Sequence, residues 1–199
     1  MRHLIALIIL IMVIISCTRK NVPTVDKLVI VGIGNNLTYD SLGKPQLSLR
    51  TYVEFNKSSE LKIALGDYKY VLEKKAPLYS LDKFYLLENV DTIKQLIERA
   101  LINKTYDSLY IDKGEGVFYA LIYQIADSTR QIIYKPKYLP KDLYFLDSLL
   151  RSKINSNKLV KTKPFSVDRL LPEFEKHLFK IHPPPPPPMV IDSIKFSEF

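Results

Sequence analysis

Residues 117–154, VFYALIYQIADSTRQIIYKPKYLPKDLYFLDSLLRSKI, decide the fold. Val117–Ile125 is dense in aromatic and branched side chains and has the length of one strand, a composition that suits a packed, pleated surface. Asp127-Ser128-Thr129 supplies turn chemistry, and Gln131–Tyr134 returns as a second strand. Pro136 cannot donate to a ladder and stops that strand, while Pro140 suits the first turn of a helix, where no backbone donor is needed. From Lys141 to Ile154, Leu143, Leu146, Leu149 and Leu150 recur at helical spacing and mark the buried side. Upstream, Tyr106–Ile111 reads as a strand and Asp112-Lys113-Gly114-Glu115-Gly116 as its turn. This block predicts three antiparallel strands followed by a helix.

Toward the N-terminus, Leu28–Ile33 is a compact apolar run of strand length closed by Gly32 and Gly34. Residues 34–46 carry Gly34-Asn35-Asn36 and Gly43-Lys44-Pro45, the chemistry of a loop that turns at both ends. Leu47–Phe55 alternates, with Leu47, Leu49, Thr51, Val53 and Phe55 on one face and Ser48, Arg50, Tyr52 and Glu54 on the other, as a half-buried strand does. Leu61–Leu65, a strand or a helical turn, and Tyr68–Glu73, a strand, flank Gly66-Asp67. Lys74–Glu88, interrupted by Pro77, reads as irregular with a strand at Lys83–Leu87. Asn89 then caps a helix whose stripe is Val90, Ile93, Leu96, Ile97, Ala100 and Leu101, with Asp91 at its positive end and Asn103-Lys104 after it. Residues 47–103 thus repeat the strands-then-helix order of 105–154, a candidate duplication that no residue-level similarity accompanies.

Toward the C-terminus, Asn155–Lys163 is polar and basic, as a linker is. Ser166 stands where it would cap a last helix carrying Val167, Leu170, Leu171, Phe174 and Leu178 on one face, with Pro172 interrupting the register. The six prolines Pro183–Pro188 form a polyproline II spacer of about 19 Å, and Met189–Phe199 alternates as a terminal strand. The expected organisation is an α+β domain over 28–154, a linker and amphipathic helix over 155–182, a spacer over 183–188 and a strand over 189–199. The fold class is α+β, a mainly antiparallel sheet with two to three packed helices, preceded by an N-terminal signal helix.

That signal lies in Met1–Lys20. Arg2 and His3 are followed by the uncharged run Leu4–Ile15 and then Ser16-Cys17, the layout of a secretory signal. Twelve helical residues rise only about 18 Å against a bilayer core of about 30 Å, so the run predicts a processed signal over 1–16 and a tether over 17–27. Ile14-Ile15-Ser16-Cys17 resembles the lipobox of bacterial lipoproteins, with Ile14 where that family more often has Leu. The resemblance implies cleavage after Ser16, diacylation of the Cys17 thiol and acylation of the new amino group. Cys17 is the only cysteine in the chain, so no internal disulfide or thiolate cluster competes for it. Thr18, Arg19, Lys20 and Asn21 contain no aspartate, which by the same resemblance fits an outer-membrane protein facing the periplasm. The chain as a whole is similar in style to the small Bacteroidota lipoproteins of unknown function, a likeness that carries no activity across.

Cleavage after Ser16 leaves 183 residues with 28 basic and 21 acidic side chains, a net charge of +7. A chain of that length buries enough surface to need neither disulfide nor metal. Its lysines are interleaved with acids rather than blocked, which suits solubility and anionic neighbours such as lipid head groups or an acidic protein. Nucleic acid fits the charge but not the compartment, so the expected partners are the membrane, through lipid on Cys17, and an envelope protein. The 13 tyrosines and 9 phenylalanines offer sheet packing and contact area together.

Catalytic signatures are sparse. His177 and His182, the histidines left after processing, have no partner ligands at metal spacing, and no Gly-x-Ser-x-Gly elbow is present. Gly32-Ile33-Gly34 follows a strand, but Leu37 stands where a dinucleotide fingerprint has its third glycine. Asp112–Gly116 has too few oxygen ligands for calcium and reads as a turn. No catalytic residue, metal ligand or cofactor is assigned. The expected activity is binding, with a carboxylate-based envelope hydrolase (a distant pair such as Asp67 and Glu115) or an immunity-type lipoprotein as the alternatives.

Overall fold

The computed structural model describes residues 23–39, 45–57, 60–71, 76–88, 90–111, 117–155 and 158–181. Its strands are β1 (Val25–Tyr39), β2 (Pro45–Asn56), β3 (Leu61–Val71), β4 (Ala76–Leu87), β5 (Leu109–Tyr110), β6 (Phe118–Ile125), β7 (Ser128–Tyr134) and β8 (Val160–Lys161). The helices are α1 (Asp91–Leu101), α2 (Lys141–Ile154) and α3 (Leu170–Ile181). All eight strands join one sheet in the order β5-β7-β6-β1-β2-β3-β4-β8. Every junction is antiparallel except β5–β7, so the class is α+β with a mainly antiparallel sheet.

β1 lies between β6 and β2 and is buried on both faces over Leu28–Ile33. Successive strand side chains point to opposite faces, and the two cores divide accordingly. Leu28 and Ile30 join Val53, Phe55, Ile63, Leu121 and Tyr123 against α1 and α2, through Ile93, Ile97, Leu143, Leu146 and Leu150. Val29, Val31 and Ile33 join Tyr52, Ala64 and Ile122 against α3, through Leu170, Leu171 and Phe174. Each fully buried side chain of this size contributes about 1.5–3 kcal/mol.

Several local expectations change. Tyr106–Ile111 contributes only the two residues of β5, and these pair in parallel with β7 instead of forming a hairpin with β6. The reason is lateral: β1 already occupies the other edge of β6, so β7 is the open neighbour. The β6–β7 hairpin closes on Ala126-Asp127, with Ala126 at φ 51°, and Ser128 already pairs with Ile125. A two-residue connection with a left-handed first position matches the twist of the strands it joins.

The loop expected over 34–46 is largely strand, because β1 runs to Tyr39 and β2 starts at Pro45; the ladder absorbs Gly34-Asn35-Asn36 as an irregularity between Ile33 and Leu37. The two segments about Gly66-Asp67 are the single strand β3, with a register shift between Leu65 and Gly66. β4 begins at Ala76, earlier than Lys83, and pairs through Pro77. Nor is the polar face of β2 left to solvent throughout: Tyr52 and Glu54 are covered as fully as Val53 and Phe55, because α3 packs on that side. Arg50 stays exposed, and a register shift against β1 brings Leu47 and Leu49 to the α3 core.

The helices keep their positions with different caps. Val90 is the N-cap of α1, and Asn89 lies outside the described residues. Asn103, at φ 57°, follows the end of α1 in the left-handed conformation common after helices. α2 spans Lys141–Ile154 as expected, with Pro140 at its N-cap. Asp168, not Ser166, caps α3, its Oδ1 accepting from the Leu170 N–H at 2.9 Å, while Val167 is exposed. Pro172 falls in the first turn, where the missing donor costs nothing. The segment expected as a linker contains β8, which pairs with β4 at Tyr85 and Leu86. The signal helix, polyproline run and terminal strand lie outside the described residues.

Gly32 sits at a close approach of neighbouring strands. Its N–H donates to Thr51 Oγ1 at 3.1 Å, and a Cβ there would stand 2.5 Å from that oxygen and 3.1 Å from the Tyr119 ring. Gly32→Ala is expected to destabilise by about 1–3 kcal/mol, read as a lower urea midpoint. Adding Thr51→Ala should restore part of that loss, because it removes the atom in the way.

Candidate functional site

Apart from Ser48, whose buried hydroxyl has no hydrogen-bond partner among the described residues, the polar side chains that the fold buries form two networks, one on each face of the sheet. On the α2 face, Asp147 is 2% exposed and accepts from Tyr134 Oη at 2.7 Å, from Arg151 Nε at 2.8 Å and, through the same carboxylate, from the second Arg151 nitrogen at 2.7 Å. Arg151 lies one turn after Asp147 and also sits over the Tyr119 ring at 5.5 Å, which stacks on Tyr134 at 5.7 Å. Burial, and then the charge of Asp147, push the Tyr134 hydroxyl well above its ordinary range, so it remains a donor. The cluster ties α2 to β6 and β7, and the two guanidinium nitrogens on Oδ2, with Tyr134 on Oδ1, offset the desolvation of the carboxylate.

On the α3 face, Tyr52 is fully buried and links the Glu54 carboxylate to the backbone of Asp168. Its hydroxyl donates to Glu54 Oε2 at 2.5 Å and accepts from the Asp168 N–H at 2.8 Å. Lys62, opposite Glu54 across the β2–β3 ladder, reaches Glu54 Oε1 at 3.4 Å, and Lys27 pairs with Asp168. Burial and the bond to Glu54 raise the Tyr52 hydroxyl far above its usual value. Phe165 covers the cluster, edge-on to Phe84 at 5.1 Å and under Lys62 at 5.6 Å. Glu54 and Asp168 are brought to one side of Tyr52 by the fold, yet each is paired with a lysine. Their geometry fastens the crossing from β8 to α3. Asp147 and Glu54 lie on opposite faces of the sheet and form no pair.

The open surface of note lies between α1 and α2. It is a groove of about 360 Å³ floored by Leu96, Ala100 and Leu146, walled by Tyr144 and Phe145, and rimmed by Arg99, Lys141 and Asp142. Tyr144 and Phe145 are 49% and 57% exposed. Leu143, Leu146 and Leu150 take the inward side of α2, so helical geometry turns Tyr144 and Phe145 to solvent. Asp142 pairs with Lys104 at 3.3 Å, whereas Arg99 and Lys141 have no ion pair among the described residues. Apolar rings flanked by open cations suit a partner that is apolar in part and anionic in part.

Of the residues singled out in the sequence, Ser16, Cys17, His182 and Asp112–Gly116 lie outside the described residues. The Asp67–Glu115 pair is not assembled among them, Glu115 being outside. His177 is exposed on α3. Gly32 lies against Thr51 within a continuing strand, so no phosphate-binding turn follows it. Sequence reasoning missed Asp147, Asp168 and Phe145. The available signal for Asp147 was its place on the Leu143–Leu146–Leu150 side of α2; for Phe145 it was an apolar residue off that stripe. No protein-family model matches this chain, no curated protein matches its sequence and no solved structure matches its fold.

Two predictions test the networks. Asp147→Ala leaves the Arg151 charge and the Tyr134 hydroxyl without their acceptor and is expected to cost about 3 kcal/mol, measured by denaturant unfolding. Glu175 on α3 accepts from the Leu47 N–H at 2.8 Å, and its carboxyl is raised above its ordinary value by burial, the bond to Leu47 opposing. The folded state therefore holds this proton more tightly than the unfolded chain, and the group's contribution declines as pH rises from the ordinary carboxylate range through the raised value. Glu175→Gln keeps an acceptor without the charge. It should be more stable than the parent at pH 7, and the two thermal midpoints should converge below about pH 4.

Proposed function

We propose that this chain is a lipid-anchored protein of the bacterial cell envelope that works by binding a protein or another envelope component. The observation that carries the reading is Cys17, the sole cysteine, at the end of the uncharged run Leu4–Ile15 and directly after Ile14-Ile15-Ser16. Processing after Ser16 and acylation of Cys17 would give an anchor of several chains, which holds where a single chain is marginal. Residues 1–16 are then the signal helix and 17–24 the tether, since β1 begins at Val25. Thr18-Arg19-Lys20 supports the outer membrane, with the folded part facing the periplasm.

Binding is favoured over catalysis by the contrast between buried and open chemistry. Asp147, Glu54 and Asp168 are each committed to an arginine or lysine, while the aromatic and cationic residues of the α1–α2 groove are open.

Cys17→Ser is expected to release the protein from membranes, read by fractionation after a carbonate wash. Intact mass should show the lipid on the parent and none on the variant. A variant that still sediments with washed membranes defeats the lipobox reading.

A further inference from the structure

We propose that the α1–α2 face is a bilayer-contact surface, with Tyr144 and Phe145 seated at the interface and Arg99 and Lys141 on the phosphates of anionic lipids. The inference rests on the lipid anchor proposed above and names the component that this surface meets.

Position is the first argument. β1 starts at Val25, paired with Ile125, and Leu28 lies beside Tyr123, which pairs in turn with Arg130. Arg130 donates to the Lys104 carbonyl at 3.0 Å, and the Lys104 ammonium meets Asp142, on the rim of the groove, at 3.3 Å. This chain of contacts puts the start of β1 and the groove at one end of the sheet. Val25 lies eight positions after Cys17, a reach of at most about 29 Å when fully extended. An anchor on Cys17 therefore holds the groove end of the molecule near the lipid surface, while α3 lies across the sheet from it.

Chemistry is the second argument. Tyrosine and phenylalanine seat at the boundary between head groups and acyl chains, and cations beside them gain from the negative surface potential. Tyr144, Phe145, Arg99 and Lys141 place both kinds of group on the outer side of two adjacent helices. An acidic protein partner would use the cations equally well, but the tether favours the bilayer, because it supplies that surface at short range before any second protein arrives.

The chain has no tryptophan, so Phe145→Trp introduces a single reporter at an exposed position. Full-length protein would be reconstituted into phosphatidylethanolamine–phosphatidylglycerol vesicles containing brominated lipid, with Val167→Trp, on the α3 side, as the control. Emission from Phe145→Trp is expected to shift to the blue and fall by about half, as for a ring about 5–10 Å into the boundary. Emission from the control should be unaffected. Adding Arg99→Gln and Lys141→Gln to Phe145→Trp should weaken docking about 25-fold in anionic vesicles and return its indole to water-exposed emission. Intact mass reports the lipid on Cys17 separately. If the chain proves unlipidated and the Phe145→Trp indole is still quenched, the anchor falls and the surface stands. A lipidated, vesicle-bound chain whose Phe145→Trp indole stays unquenched overturns the surface, as does equal quenching of reporter and control. A reporter that changes only when an acidic protein is added, without quenching by lipid, also overturns it and assigns the groove to that protein.

Discussion

Burial of both faces of β1 is the constraint on which the rest depends. A strand covered on one side alternates, whereas Leu28–Ile33 is apolar throughout apart from Gly32. Such a strand needs a layer on each side, and three helices provide them: α1 and α2 against Leu28 and Ile30, α3 against Val29, Val31 and Ile33. The sheet is therefore a middle layer, although its connections are mostly those of an antiparallel meander. The helices that follow β4 and β7 both pack on one face, which leaves the other face to the C-terminal segment.

The polar networks follow from that layering. With apolar contacts alone, α3 could slide along its face, since burial is not directional. Hydrogen bonds from Tyr52 to Glu54 and from the Asp168 N–H to Tyr52, with Lys27 and Lys62 on the carboxylates, set where the crossing lands. On the opposite face, Asp147 does the same for α2 by accepting from Tyr134 on the sheet and Arg151 on its own helix. Such clusters cost desolvation, and what they contribute is position. They also withdraw the buried carboxylates from chemistry with a substrate. The large apolar groups that remain exposed are the ones that the helices turn outward, Tyr144 and Phe145 among them.

Some of this was legible in the residues themselves. The apolar runs of β1 and β6, the leucine spacing of α2 and the stripe of α1 reflect local rules, a period of 2 or 3.6 and the geometry of proline. They located four elements and the α+β class. The single cysteine after Ser16 is likewise a local signal, and it points to an address. What periodicity could not supply was the second cover on β2. Tyr52 and Glu54 read as a solvent face because the helix that buries them lies more than a hundred residues later.

Local pattern sufficed for β1, β6, α1 and α2, because those preferences arise between residues a few positions apart. It did not determine that β5 would lie parallel to β7, that Asp168 would cap α3 or that Glu54 and Asp168 would meet at Tyr52. Nor did it bring Arg99 and Lys141 to the rim of one groove. Those facts depend on which surfaces remain open once β1 is sandwiched, and only the packed tertiary structure settles that competition, because each contact joins residues that no local pattern relates.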